Sequence, residues 1–394
     1  MIDTHLSLAN GAIIPSVPAN DITYLGGLIS PWSGLQYKGL TEKLHQALQR
    51  LGCASLKPHQ KLNLLSTHII PYFLHAISLA NPPITLVRGM DSSIRTHVKD
   101  ILHLPSCTPN GLLYCSKRDG GLGIPKLENL GVCTALKQGM QLLTTTDTAT
   151  QALLKASKFE LRMEKMAKSI WLLWPITNTK CIDAHKRRQK AAELREWSQL
   201  PSKGKGVPQF TDDRNGNCWL YDPTLLKPSR YLTALRMCSG TTGDCITLNK
   251  AIPQATVKCP KCKSSLETMA HILGQCTYTK SERIRRHDEI KNYLAERLAS
   301  TPEFQVVEEA SIVTPSGTLK PDLVVIHQGR VQIVDVTVRY EDTGYLEEGH
   351  NSKITKYTPL LPQIASQLNL EPGNVLPVVI GSRGAIPKGK IDKQ

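Results

Sequence analysis

Two sets of residues between positions 259 and 357 have the types and spacing to do chemistry. In the first, Asp322 stands in Thr318-Leu319-Lys320-Pro321-Asp322-Leu323-Val324-Val325-Ile326, and Asp335 in Val331-Gln332-Ile333-Val334-Asp335-Val336-Thr337-Val338. Both runs are rich in β-branched residues, which suit packed strands. Between them lies His327-Gln328-Gly329-Arg330. If Gln328-Gly329 is a two-residue hairpin loop, His327 faces Arg330, and counting outward sets Asp322 opposite Asp335. Opposed Cβ atoms on one sheet face are about 5 Å apart. Two carboxylates that close are costly to ionise together. A divalent cation relieves the repulsion, and Mg²⁺ takes oxygen ligands of this kind. The alternative is a pair of strand-end acids in water, with a pairing that differs by one residue.

Downstream, Lys353 and Tyr357 stand four apart and share a face on a helix. A Pro-Asp, a second acid on the next strand and a lysine form a metal-nuclease constellation. In it the acids hold the metal, and the lysine positions water or neutralises the transition state. The usual lysine lies two residues after the second acid; here that place holds Thr337.

The second set is Cys259-Pro260-Lys261-Cys262 with His271 and Cys276, spaced C-x2-C-x8-H-x4-C. Three thiolates and an imidazole suit tetrahedral Zn²⁺, closed to water and therefore structural. Cys238 or Cys245 could compete as ligands, and four unrelated residues are the alternative.

Stepping outward, 394 residues can hold two or three domains. No apolar run in the sequence reads as membrane-spanning, and the first residues form no signal peptide. The net charge of +15 makes nucleic acid the first partner to consider. The charge is uneven. Residues 151–230 carry 16 Lys and Arg against 8 Asp and Glu, whereas residues 301–350 carry 3 against 9. Eleven cysteines, mostly scattered, do not form a secreted disulfide pattern and imply a reducing, intracellular setting.

The hairpin strands are apolar on both faces, which predicts central strands covered on both sides. Residues 10–35 read as short strands and turns (Gly11 to Pro15, Ile22 to Ile29), closed by Pro31 and Ser33-Gly34. Residues 36–145 read as mostly helical. Leu40, Leu44, Ala47, Leu48 and Leu51 make one face; Leu62, Leu65, Ile69 and Ile70 make another before Pro71; residues 91–104 give a third candidate. Residues 151–200 read as basic and amphipathic, with Lys186-Arg187-Arg188-Gln189-Lys190 as a solvated face or a phosphate contact. Ser202-Lys203-Gly204-Lys205-Gly206 reads as a linker. Two decoys are set aside. Asp119-Gly120-Gly121-Leu122-Gly123 has no lysine and reads as a tight turn rather than a phosphate loop. Phe210-Thr211-Asp212-Asp213 spells a polymerase-palm motif, but Arg214-Asn215-Gly216-Asn217 follows and the stretch reads as a loop.

The order of Ser229-Arg230-Tyr231-Leu232-Thr233-Ala234-Leu235-Arg236, the cysteine-histidine motif, Arg286-His287-Asp288 and the Pro-Asp hairpin resembles a known family. It is similar to the C-terminal half of the Pol-like polyproteins of type-1 (non-LTR) retrotransposable elements that insert into ribosomal RNA genes. The resemblance spans nearly the whole chain and is strongest from Ser229 onward. It implies a multidomain α+β chain. Residues 1–35 would be a remnant after the reverse transcriptase palm, with Ile22 to Gly26 as the matching segment. Residues 36–150 would be a helical thumb-like domain, 151–245 a basic helical linker, 246–280 a CCHC zinc module and 281–394 an α/β restriction-enzyme-like endonuclease. The palm's catalytic acids have no counterpart, so the sequence reads as a fragment, and RNA-directed DNA polymerase activity is expected only of the full polyprotein.

The resemblance also assigns residues. Cys259, Cys262, His271 and Cys276 would bind structural Zn²⁺. Asp322 and Asp335 would bind catalytic Mg²⁺, with Lys353 and Tyr357 completing the catalytic set and Lys356 as a possible substitute for Lys353. Arg236, Arg286 and His287 would contact nucleic acid. The implied activity is Mg²⁺-dependent nicking of ribosomal-gene DNA to prime reverse transcription of element RNA, in the nucleus and away from any membrane. The implied partners are target double-stranded DNA, element RNA and the polymerase palm. The alternative is a non-catalytic, zinc-dependent nucleic-acid-binding protein.

Overall fold

The computed structural model describes residues 10–12, 22–24, 27–30, 34–249, 253, 256–315 and 317–387. Ile13 to Pro15, Leu25, Gly26, Pro31 and Ser33 therefore lie outside the described residues. Along the chain come strands β1 (Ile22–Tyr24), β2 (Gly27–Ser30) and β3 (Gly34–Gln36), then helices α1 (Leu40–Cys53), α2 (Pro58–Leu64), α3 (Ile70–Ala80), α4 (Ile84–Ile101) and α5 (Asn110–Tyr114). Next are α6 (Leu127–Leu143), α7 (Thr148–Ala156), α8 (Phe159–Ser169), α9 (Lys180–Ser198), α10 (Cys218–Tyr221), α11 (Pro228–Cys238), α12 (Cys245–Asn249), α13 (Met269–Gly274) and α14 (Lys280–Ala299). The last part holds β4 (Phe304–Glu308), β5 (Ile312–Thr314), β6 (Gly317–Leu319), β7 (Leu323–His327), β8 (Arg330–Arg339), α15 (Tyr345–Tyr357), α16 (Leu361–Leu368) and β9 (Glu371–Gly381). These elements fall into two compact units, Met1–Leu102 with Ile124–Ala191, and His103–Gly123 with Ala192–Gln394.

The first unit is helical apart from the antiparallel β1-β2-β3 sheet. Leu40, Leu44, Leu48 and Leu51 form the buried face of α1, as their spacing predicts. Pro71 does not end the next helix. A π-helical turn, Leu65–Ile69, joins α2 to α3, and the proline sits in the first turn of α3, where its missing N–H is tolerated. The joined helix Pro58–Ala80 is, by length and composition, apolar enough to cross a membrane, a correction to the reading of its sequence. Its Leu62, Leu65, Ile70, Phe73 and Ile77 are buried against neighbouring helices, and a core helix can have the same length and composition. α6 and α8 share a core containing Leu136, Phe159, Met163 and Met166.

Asp91, inside α4, is buried. Its two carboxylate oxygens accept the backbone N–H groups of Leu127 and Glu128, each at 2.9 Å, at the start of α6. Burial raises its pKa, against the lowering effect of those N–H groups. The helix start that a phosphate loop would use is thus filled by a protein carboxylate. Asp91→Ala should orphan both donors and lower the unfolding free energy by about 1–3 kcal/mol. Urea titration checks this, with an unchanged slope m expected.

The second unit carries the sheet, in the order β4-β7-β8-β9. β7 pairs antiparallel with β4 and with β8, and β9 pairs parallel with β8. β7 and β8 are central and covered on both faces. Leu323, Val325 and Val334 pack toward Ala295 of α14, while Val324, Val331 and Ile333 pack toward Tyr357, Leu361 and Ile364. The alternation of side chains along each strand makes this division.

The stretch Ser202 to Gly206 is not a free linker. Gly206, at φ 77°, brings its backbone against Glu341 and Arg383, where a Cβ would collide. Val207 and Phe210 follow it into the core. Glycine here serves close approach rather than flexibility. The Asp212-Asp213 stretch is a turn: Asp213 Oδ1 accepts Gly216 N–H at 2.8 Å, and Asp212 pairs with Arg118.

Candidate active site and metal centre

The β7–β8 register pairs His327 with Arg330, Ile326 with Val331 and Leu323 with Val334. The Gln328-Gly329 loop closes it, with φ 49° and 73°, the left-handed region such hairpin turns require. Asp322 lies one residue before β7 and, by this register, opposite Asp335. Asp322 Oδ2 accepts the Val336 N–H at 2.7 Å and lies 3.2 Å from His287 Nε2, carried by α14. The Asp335 side chain is 2% exposed, and its Oδ2 lies 2.7 Å from Lys353 Nζ on α15. Lys353 and Tyr357 share one face of that helix, as their spacing predicts.

The two candidate lysines are distinguished by position. Lys353 meets Asp335, whereas Lys356 Nζ donates to the Tyr357 hydroxyl at 2.9 Å and sits 4.5 Å above its ring. The Tyr357 hydroxyl donates to the Lys320 carbonyl at 3.3 Å. Thr337, in the place of the usual nuclease lysine, is buried, and its hydroxyl has no hydrogen-bond partner among the described residues.

The carboxylates differ in electrostatic setting. Burial raises the pKa of Asp335, the neighbouring Asp322 raises it further, and Lys353 opposes both. Burial also acts to raise Asp322, but the His287 and Val336 hydrogen bonds outweigh it and leave that group lowered. His287 is pushed up to about 9 by its bond to Asp322, with burial opposing and Asp288 assisting. Two acids on adjacent strands, one of them almost fully buried, can hold a divalent cation.

In the second cluster, the ligand atoms of Cys259, Cys262, His271 and Cys276 all lie within 4.8 Å of one another. Cys259 Sγ is 3.9 Å from Cys276 Sγ, and Cys262 Sγ is 3.2 Å from His271 Nε2. Tetrahedral Zn–S bonds of about 2.3 Å place sulfurs about 3.8 Å apart, so the donor set fits a closed structural metal site. Neither Cys238 nor Cys245 belongs to the group. Thr268 caps α13 by accepting the His271 N–H, which fixes the histidine one turn into that helix. The hydroxyl and N–H groups of Ser264 push Cys262 down to about 6, and burial raises Cys276.

No family model matches the chain. Individual proteins do. Over 388 residues it is 27% identical to the retrovirus-related Pol polyprotein from type-1 retrotransposable element R2 of Popillia japonica, covering 96% of the chain and 77% of that relative. A second polyprotein of the same name and organism is 30% identical over 356 residues, 88% of the chain. These matches are consistent with a fragment of a type-1 R2 element Pol polyprotein. A Drosophila melanogaster relative, from type-2 element R2DM, is 26% identical over 90% of the chain. The chain spans 47% of the second relative and 32% of the third.

The arginines expected at nucleic acid are engaged with backbone carbonyls. Arg236 donates to His103 O at 2.6 and 3.2 Å, and Arg286 donates to Leu273 O at 3.1 Å. His287 is brought to Asp322. Two contributors escaped the sequence reading. Arg283 donates to Gly274 O and Cys276 O, at 2.8 and 3.2 Å, so α14 grips the cysteine-histidine module directly. The Val336 N–H orients Asp322. Neither carries a sequence signal: a basic helix face reads as solvated, and a backbone donor has no residue type.

Proposed function

We propose that this chain is the endonuclease-bearing part of an R2-type polyprotein and nicks target DNA so that the freed 3′-hydroxyl primes reverse transcription of element RNA. The observation that carries this reading is the meeting of Asp322, Asp335 and Lys353 at one end of a covered four-stranded sheet. A Mg²⁺ ion held by the two aspartates would polarise the scissile phosphate and lower the pKa of a bound water. Lys353 is placed to neutralise charge at the phosphate. Tyr357 braces the helix that presents it, and His287 holds Asp322 in its rotamer.

In this reading residues 36–150 serve as a thumb-like domain, 151–245 as a basic linker, 246–280 as a zinc module and 281–394 as a restriction-enzyme-like nuclease. The target is ribosomal-gene DNA in the nucleus, and Arg236 and Arg286 approach phosphates with the N–H groups their carbonyl contacts leave over. Polymerase activity belongs to the complete polyprotein. The test is nicking of a supercoiled plasmid carrying ribosomal-gene sequence, with and without Mg²⁺. Mg²⁺-dependent conversion to the open circle supports the reading. Tight DNA binding without nicking would favour the non-catalytic binding protein instead.

The metal of the cysteine-histidine group is proposed to be zinc, one ion per chain. Cys262→Ser should abolish the zinc signal in elemental analysis and loosen α13 and the start of α14, which hydrogen exchange would detect. Purified wild-type protein without zinc would overturn the assignment.

A further inference from the structure

α8 ends in a Schellman motif: Leu172 N–H bonds Ala167 O at 3.0 Å, and Trp171 N–H bonds Lys168 O at 3.1 Å. The residue at the left-handed position of this motif is usually glycine, because a Cβ there is strained. Here it is Trp171, with φ 59°. Trp171 is 91% exposed, so packing does not offset the strain. An indole held in water in an unfavourable backbone conformation calls for a use outside the fold.

The surroundings identify the use. Trp171 lines the rim of a cleft of about 700 Å³ in the helical unit, together with Arg88, Lys126, Glu128, Arg162 and Lys165. Four cations therefore face one carboxylate, Glu128, which Arg88 meets at 2.7 Å and Lys126 at 3.9 Å, so the cleft keeps an excess of positive charge. Ser169, Asn129 and Gln189 add hydrogen-bonding groups. A positive cleft beside an aromatic platform suits a polyanion whose flat groups are free to stack. Paired bases are stacked within their own duplex and cannot use the platform.

We propose that this cleft binds single-stranded nucleic acid, with one base stacked on Trp171 and the flanking phosphates on Lys126, Arg162 and Lys165. The proposal goes beyond the nuclease reading, because none of its residues belongs to the nuclease site, and it stands if that reading fails.

The test uses the full chain without added Mg²⁺ and homopolymers of about a dozen uridines or thymidines. Trp171→Gly removes the platform while relaxing the backbone, so loss of binding cannot come from misfolding. It should weaken single-strand affinity about 5- to 150-fold, the range found for one stacked base. Trp171→Phe should recover much of it. Lys165→Ala should reduce the slope of log affinity against log salt by about 0.7. Duplex of the same length should bind wild type and Trp171→Gly alike. Tighter binding of the uridine strand marks RNA as the occupant, and of the thymidine strand DNA. Single-strand binding by Trp171→Gly at wild-type affinity overturns the proposal, as does an equal loss for single strand and duplex.

Discussion

Replacing Asp322 or Asp335 by alanine is expected to cut the nicking rate by about 10²–10³-fold or more, the scale of losing one preorganised electrostatic contact to the transition state. DNA affinity should stay level or rise slightly, because a negative charge has gone. Asp322→Asn separates charge from geometry. Its amide oxygen can still accept the Val336 N–H that Asp322 accepts at 2.7 Å, yet it offers a metal far less charge. If the carboxylate is a ligand, asparagine fails nearly as badly as alanine. If Asp322 only orients the strand end, asparagine rescues. Nicking at the wild-type rate by the Asp322→Ala, Asp335→Ala double variant would remove the case for catalysis.

The lysines supply the second arm of the same experiment. Lys353→Ala removes the cation 2.7 Å from a nearly buried carboxylate, so it should lose cleavage and raise the Asp335 pKa further. Lys356 meets the hydroxyl and ring of Tyr357, whereas Lys353 meets Asp335, so Lys356→Ala should be mild. Equal losses from the two substitutions would mean that α15 works as a braced unit, with no privileged lysine.

How much of this was legible in the sequence depended on distance along the chain. The β7–β8 hairpin was readable because its turn and its alternation lie within one short stretch, and the register then set Asp322 against Asp335. The cysteine-histidine cluster was readable because ligand spacing is itself local. β9 was not. Pro372, Gly373 and Pro377 hide a strand, and an edge position is where a sheet tolerates them. The contact of His287 with Asp322 spans 35 residues and follows from the docking of α14, which no periodicity encodes. Ser202 to Gly206 misled because lysine and glycine have the composition of a linker whether the glycines serve mobility or close approach.

The largest stability effect is expected at a pair the sequence does not announce. Glu341 follows β8 and Arg383 follows β9, and their side chains are 0% and 2% exposed. Glu341 Oε1 accepts the Arg383 backbone N–H at 2.6 Å, and Oε2 accepts from its Nε at 2.9 Å. Arg383 also donates to Lys205 O at 2.9 Å, which ties the Lys-Gly turn to the sheet. Removing one partner leaves the other charge buried, and a guanidinium cannot escape by losing its proton. Glu341→Ala should therefore lower the unfolding free energy by about 3–5 kcal/mol, measured by urea titration. The pair as a whole is worth far less than its breakage costs, because bringing both charges out of water opposes their attraction. The Glu341→Leu, Arg383→Met double variant should thus fall within about 1 kcal/mol of wild type or exceed it. A double variant as unstable as the single one would show that the hydrogen bonds to Lys205 O and the Arg383 N–H, rather than the buried charge, hold this corner. The loss in Glu341→Ala should also persist in high salt, since counterions screen exposed charges and reach a buried one poorly.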